Sequence, residues 1–260
     1  MQERPFFSVV TVCKNDLGGL ILTAQSLLDQ NCRDFEWIVV DGASADGTVD
    51  YLAKRPIARM RHISEPDTGL YDAMNKGMEI AEGEFFLFLN AADTLDGSTT
   101  LENVRYFIAT NHGFDIYYGD AKKVDRFGEQ FYQAARHHSK VWYNLFTVHQ
   151  SIFFRRNCFD KRRYDLRYRV GADYALVATL ILIDRVPASR MPICISRFAP
   201  GGISDQSYFL GEKDDWLFRK QELGFPLWRR AIIWLIHAIV RLGRKRLTIL
   251  YNVLRYKRPF

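Results

Sequence analysis

Four short strand-like runs, three of them apolar, with helix-like stretches between them, limit what this chain can fold into more than any other feature. They are Phe6–Cys13, Phe35–Val40, Arg59–Ser64 and Phe85–Leu89. Between them, Leu20–Leu28, the stretch through Val49–Ala53 and the stretch from Leu70 read as helices. The last places Leu70, Ala73, Met74 and Gly77 on one face. Strands alternating with helices are joined by right-handed crossovers and build a parallel sheet. The expected class is α/β, with a mostly parallel sheet flanked by helices. Ligands of such sheets bind beyond the carboxyl ends of the strands. Asp41, Asp67 and Asp93 each stand at or just past such an end. Three acids on one rim suit a charged ligand held through a cation.

The run Glu65–Gly77 opens in a turn, because Pro66 and Gly69 interrupt regular structure around Asp67. Asp72 and Lys76 are four apart on the helix that follows, spacing for a weak ion pair. Ser44-Ala-Asp-Gly-Thr48 reads as a turn and helix start, with Ser44 the candidate cap. The second half is less regular. Ile116–Gly119 and Glu129–Gln133 form the arms of a hairpin, and His149–Phe154 is an apolar run with a polar start. Gly171-Ala-Asp-Tyr174 leads into a helix whose Tyr174, Val177, Ala178 and Ile181 share a face, so Asp173 stands at a helix start. Ile193–Phe198 reads as a further strand. Gly201-Gly-Ile-Ser204 reads as a flexible link to a charged helical segment near Glu212–Glu222.

With 260 residues the chain can bury a full core, and no apolar stretch reaches the length that spans a bilayer. Cys13, Cys32, Cys158 and Cys194 form no CxxC pair, which predicts reduced thiols and a reducing compartment. The strand-like run beginning at Phe6 leaves no room for a signal peptide. The net charge of +6 is unevenly placed. Pro226 to Phe260 holds nine Lys and Arg residues and no acid, so the rest of the chain carries a net −3. This argues against a nucleic-acid groove across the main body. It predicts a basic amphipathic helical tail over 206–260, attached to a body over 1–205. Ala231–Val240 is apolar except at His237 and is flanked by arginines, with Trp228 and Trp234 suited to a headgroup zone. Such a segment lies in an anionic membrane surface, or packs on a second subunit to make a homo-oligomer.

Asp41-Gly-Ala-Ser-Ala-Asp-Gly-Thr48, the Glu65–Gly77 run and the loop Asn90-Ala-Ala-Asp93, in this order and spacing, resemble the family 2 glycosyltransferases of the GT-A (Rossmann-like) fold. The likeness extends to bacterial enzymes that build exopolysaccharide units of the colanic-acid type, and covers about Ser8 to Ser204. It implies an inverting transfer of a sugar from a nucleotide-sugar donor to a lipid-linked saccharide acceptor. It implies a divalent metal, Mg²⁺ or Mn²⁺, at the donor diphosphate, and a place on the cytoplasmic face of the membrane. Asp93 matches the metal-binding carboxylate of the family's Asp-x-Asp-type loop, whose first acidic position is Asn90 here. Asp41 and Asp67 match the carboxylates on the nucleotide side. Thr11, Asn15 and Ser44 border the same pocket, with Val12 and Lys14 where many relatives carry proline and tyrosine. Asp173 matches the catalytic base, which deprotonates the acceptor hydroxyl as it attacks the anomeric carbon. His149, Gly202 and Ser204 are further candidates for contact with acceptor or diphosphate.

Two other functions remain to be separated from this one. A sugar-phosphate nucleotidyltransferase also uses an α/β sheet and a metal-bound aspartate, but wants a basic glycine-rich loop after the first strand. Leu17-Gly-Gly-Leu20 is poor in basic residues, with only Lys14 near it. A membrane-associated scaffold driven by the basic tail leaves the acidic rim without a purpose.

Overall fold

The computed structural model describes residues 4–54, 57–125, 127–199 and 207–246. Nine strands form one sheet in the order β3-β2-β1-β4-β8-β6-β9-β5, with β7 pairing β6. β1 (Phe7–Cys13) runs parallel to β2 (Phe35–Asp41) and to β4 (Phe85–Phe88). β2 runs parallel to β3 (Met60–Ser64). Every residue of β1, β2 and β4 is buried, so their sequences are continuous apolar runs rather than alternating ones. Alternate residues still serve opposite faces. Val10 and Val12 join one core, while Phe7, Val9 and Cys13 join the other. Each fully buried Val, Leu or Phe side chain contributes roughly 1.5–3 kcal/mol.

The helices follow from capping and close approach. α1 (Leu17–Leu28) begins at Asp16, whose side chain accepts from Gly19 N at 3.0 Å. Helix α2 (Thr48–Ala53) starts at Gly47, with φ near 91°. Ser44 therefore does not cap it. α3 (Leu70–Ile80) lies on β1 and β2. Gly77 permits that contact, since a Cβ there would sit 2.5 Å from Val10 Cγ1. Lys76 pairs with Glu65 at 2.7 Å and reaches Asp72 only at 4.0 Å, so the expected helical pair is the lesser one.

Beyond β4 the sheet is mixed. β5 (Thr94–Leu95) is followed by α4 (Thr100–Thr110). β6 (Ile116–Val124) and β7 (Gln130–Gln133) form a hairpin, but the arm that pairs with β7 is Ala121–Val124 and not Ile116–Gly119, so β6 runs on into residues read as the connection. β8 (Ile152–Arg155) inserts antiparallel between β4 and β6. The last strand, β9 (Ala188–Phe198), starts five residues before the sequence suggested. Pro192 falls where the ladder with β6 skips from Tyr118↔Arg190 to Asp120↔Cys194. A bulge there absorbs the residue that cannot donate to the ladder.

α5 (Ala172–Ala178) continues into a π turn, Thr179–Ile183. The segment after 206 begins with α6 (Tyr208–Gln221), which packs against α5. Phe218 lies in the same core as Tyr168 and Tyr174, edge-on to both rings. Asp214 Oδ2 accepts from Val170 N at 2.8 Å and Gly171 N at 3.3 Å. Arg219, only 2% exposed, donates to Tyr143 O, Tyr174 Oη and Asp215 Oδ2. A buried guanidinium is tolerated when its donors are satisfied in this way. α7 (Leu227–Arg246) docks on α6 through Arg230, Ile233 and His237. All four cysteines are free. Among the described residues, no helix is long and apolar enough to cross a membrane.

Candidate active site

The register of β1, β2 and β3 aligns Cys13, Asp41 and Ser64 at one end of the sheet. Loops leaving that end carry three of the four non-glycine residues with positive φ found among the described residues: Asn15 (51°), Ala43 (59°) and Ala92 (70°). Each costs backbone energy that the surrounding contacts must offset, and such residues gather at functional sites.

Asp41 is fully buried. Its Oδ2 accepts from Ser44 N at 3.0 Å and Ser64 Oγ at 2.7 Å. Its Oδ1 is buried without a hydrogen-bond partner. Gly42 follows, and a Cβ on it would lie 2.3 Å from Asp67 Oδ2 and 3.1 Å from Lys14 Cδ. Asp41, Asp67 and Lys14 are thus drawn together over one bare backbone position. Asp67 Oδ1 accepts from Gly69 N at 2.9 Å, which fixes the carboxylate before α3 begins.

Asn15 and Ser44 hold these loops to each other. Asn15 N donates to Ser44 Oγ at 2.7 Å, and Asn15 Oδ1 accepts from Ala45 N at 2.9 Å. Asp46 ties Leu17 N and Thr48 to the same clasp. Thr11, expected beside the base pocket, is instead fully buried within β1. Its hydroxyl donates to Leu89 O at 2.7 Å and accepts from Trp37 Nε1 at 2.9 Å. Both hydrogen-bonding roles are taken, so Thr11 serves the core.

The other half of the site is built on the loop after β4 and on the 3-10 turn His149–Ser151. Asp93 is buried, and Gln150 Nε2 donates to its Oδ2 at 2.9 Å. Burial pushes the Asp93 carboxyl up to about 6, against the opposing pull of His149 and the Gln150 hydrogen bond. Asn90 closes a turn with Asp93 N, and its Nδ2 lies 3.2 Å from His149 Nε2. Asn90 Oδ1 is buried and unpartnered. Across the cleft, His149 Nδ1 is 3.6 Å from Asp173 Oδ2. Asp173 Oδ1 faces Tyr71 Oη at 3.2 Å and accepts from Tyr174 N at 2.8 Å. Behind it lies Asp215, which burial raises to about 7 against the pull of Arg219.

The structure therefore joins Asn90, Asp93, His149 and Asp173 through direct contacts and through Gln150. It groups Asp41 and Asp67 separately on the same rim. Gly201, Gly202 and Ser204 lie outside the described residues. Sequence reasoning missed Tyr71, although it lies inside the Glu65–Gly77 run, because the helical periodicity marked Leu70 and Ala73 and not the residue between.

The donor set suits a hard divalent cation. Asp93 offers a carboxylate, and the unpartnered Asn90 Oδ1 is a neutral oxygen on the same turn. Among the described residues, no group of three or more His, Cys, Asp or Glu could hold a metal by itself. Mg²⁺-type sites use one or two carboxylates and complete the shell with substrate phosphates and water.

Known proteins resemble this chain in sequence and in fold. The chain is 36% identical over 174 residues to a PGL/p-HBAD biosynthesis glycosyltransferase of Mycobacterium bovis, covering 65% of this chain and 67% of that protein. In structure it is similar to S. aureus TarS 1–349 in complex with UDP, at a TM-score of 0.63 and 18% identity, covering 92% of this chain and 73% of the other. It is also similar to the mannosyltransferase PcManGT from Pyrobaculum calidifontis in complex with GDP-Man and Mn²⁺. There the TM-score is 0.65 at 18% identity, covering 86% of this chain and 66% of the other. The chain thus spans about two thirds to three quarters of these proteins, and the two structural likenesses bear on the fold. The sequence profile of Glycosyl transferase family 2 matches residues 8–175, more than half of the chain, so this protein belongs to that family of glycosyltransferases and has the GT-A fold.

Proposed function

We propose that this protein is an inverting glycosyltransferase that moves a hexose from a nucleotide-sugar donor to a lipid-linked saccharide at the cytoplasmic face of a membrane, in surface polysaccharide assembly. The observation that carries the reading is the chain of contacts from Asp173 through His149 to Asn90, beside Asp93. It brings an acid–base group and a cation-binding loop into one cleft, as direct displacement at an anomeric carbon requires. Asp41 and Asp67 hold the nucleoside end, with Asn15 and Ser44 clasping the loops that carry them. Asp93, with Asn90 beside it, holds Mg²⁺ or Mn²⁺, which when bound neutralises charge on the departing diphosphate. Asp173 takes the proton of the acceptor hydroxyl at a carboxylate oxygen. The UDP and the GDP-Man with Mn²⁺ bound by the two structural relatives support a nucleotide-sugar donor and a divalent cation here.

Incubating the protein with UDP- and GDP-sugars, Mn²⁺ and a lipid-linked acceptor should release nucleoside diphosphate and give a glycoside of inverted anomeric configuration by NMR. A retained configuration would contradict direct displacement. Pyrophosphate exchange without sugar transfer would make the protein a nucleotidyltransferase.

Helix α7 supplies the membrane contact in this reading. Arg230, Ile233 and His237 form its docked face, while Trp228, Ile232, Leu235, Ile239 and Leu242 are exposed at helical spacing on the opposite side. An apolar stripe facing outward, with Arg229 and Arg241 near its ends, suits the surface of an anionic bilayer. Each basic residue there contributes about 1 kcal/mol. The protein should sediment with vesicles containing phosphatidylglycerol, and salt should release it only in part. Replacing Trp228, Ile232 and Leu235 by serine should leave it in the supernatant with Arg230 and Ile233 still docked. Indifference of the wild type to anionic vesicles, with a dimer broken by the same substitutions, would reassign the stripe to a subunit interface.

A further inference from the structure

Asp173 is the second residue of a helix only seven residues long, and its side chain could adopt several rotamers there. A general base must hold one lone pair on the proton it removes, and a misplacement of about 1 Å can cost on the order of 10²-fold in rate. The Asp173 carboxylate is not left to find that direction alone. Tyr71 Oη stands 3.2 Å from Oδ1, and His149 Nδ1 stands 3.6 Å from Oδ2. We propose that Tyr71 and His149 are positioning residues that clamp the Asp173 carboxylate from its two sides and tie its orientation to the donor half of the site. The inference rests on Asp173 being the base.

Each arm of the clamp is itself fixed. Tyr71 is 5% exposed, its ring lies 5.2 Å from that of Tyr164, and its one hydroxyl proton is shared between Val170 O at 2.6 Å, the nearer acceptor, and Asp173 Oδ1 at 3.2 Å. Tyr164 is held in turn by Asn75 on α3, through both its N and its O. Burial, reinforced by the Asp173 charge, holds the Tyr71 phenol well above its ordinary value, so it stays a donor. His149 is oriented by Asn90. With the Asn90 amide turned so that Nδ2 donates, His149 Nε2 accepts and the ring proton is on Nδ1, facing Asp173. The 3.6 Å separation is of the kind that closes when substrate fills a site.

Both arms are rooted in donor-side segments. Tyr71 comes two residues after Gly69, whose N–H binds Asp67. His149 comes immediately before Gln150, whose amide binds Asp93. A donor that fixes Asp67 and Asp93 therefore also fixes the two groups that aim the base. The clamp acts on turnover and not on donor affinity.

Steady-state kinetics of the whole protein, with nucleotide affinity measured separately, test this. Tyr71→Phe should lower kcat about tenfold and His149→Ala about 10–10²-fold. The donor KM and the nucleoside diphosphate Kd should stay within about twofold in both. His149→Asn places an amide N–H near the position of Nδ1 and should recover most of the lost kcat. His149→Gln places its amide near Nε2 and should not. In an Asp173→Asn background, adding Tyr71→Phe should change nothing more, because the group it aims is gone. Wild-type kcat in Tyr71→Phe and His149→Ala, with Asp173→Asn inactive, would overturn the clamp and leave the base in place. Loss of donor affinity with kcat retained would make these two residues donor contacts. An active Asp173→Asn enzyme would remove the base assignment and the clamp together. If Tyr71→Phe fails to fold, the comparison of His149→Asn with His149→Gln decides alone, equal kcat in the two overturning the proposal.

Discussion

Asp173→Asn is expected to reduce turnover by about 10²–10⁴, the usual loss when general-base help is withdrawn. The substitution keeps the shape of the side chain and one oxygen for the Tyr174 N–H, so the start of α5 should form as before. What it removes is the group that can accept the acceptor's proton as the new glycosidic bond forms. Nucleotide affinity should be unchanged, since the residues proposed to hold the nucleoside, Asp41 and Asp67, lie on another part of the rim. The expected signature is a large fall in kcat with an unaltered Kd for the nucleoside diphosphate, measured by calorimetry. A variant that loses nucleotide affinity but keeps its turnover number would move Asp173 from the acceptor side to the donor side.

Asp93→Asn should be comparably damaging, for a different reason. A cation at a departing diphosphate supplies several kcal/mol of charge stabilisation, so the expected loss is about 10²-fold or more. The wild-type protein should show a related pH dependence. Asp93 titrates near 6 in the fold against an ordinary value of 3.8. As pH falls from 7 to 5 the carboxylate takes up its proton, the cation loses its charged ligand, and turnover declines.

Stability runs the other way. A carboxyl whose folded value is raised contributes stability that is fully present below its unfolded value and is lost as pH rises through about 6. Without cation, this group makes the fold less stable at pH 7 than at pH 5. Mn²⁺ with a nucleoside diphosphate should therefore raise the melting temperature more at pH 7 than at pH 5, and this difference should vanish in Asp93→Asn. A rate flat from pH 5 to 8, together with melting curves indifferent to Mn²⁺, would remove Asp93 from cation binding.

The sheet and the rim were legible because they rest on local signals. Apolar runs ending near Asp41, Asp67 and Asp93 fix both the strand direction and the edge where polar groups collect. Thr11 was misplaced because a strand buried on both faces has no alternation to tell which way a residue points. Ser44 was read from its spacing to Thr48 as a cap. The tertiary contact with Asn15 took its hydroxyl, and Gly47 opened the helix instead. Tyr71 was beyond sequence reasoning because its partners, Val170 and Asp173, lie about a hundred positions away. The stretch near Glu212–Glu222 was read as a charged helical segment, and it buries Asp214, Phe218 and Arg219. Their burial depends on the hydrogen bonds and rings of α5 that receive them, and composition carries no trace of such partners.

The grip of α6 on Val170 and Gly171 has a consequence for how proteins of this kind can diverge. Asp214 and Arg219 fall outside residues 8–175, the segment by which the chain is recognised as a family member. They nonetheless bear on the N–H groups of Val170 and Gly171, three and two residues before Asp173, and on the hydroxyl of Tyr174 immediately after it. With Asp173 as the proposed base, its aim can be retuned by drift in a helix outside the segment that carries the family likeness.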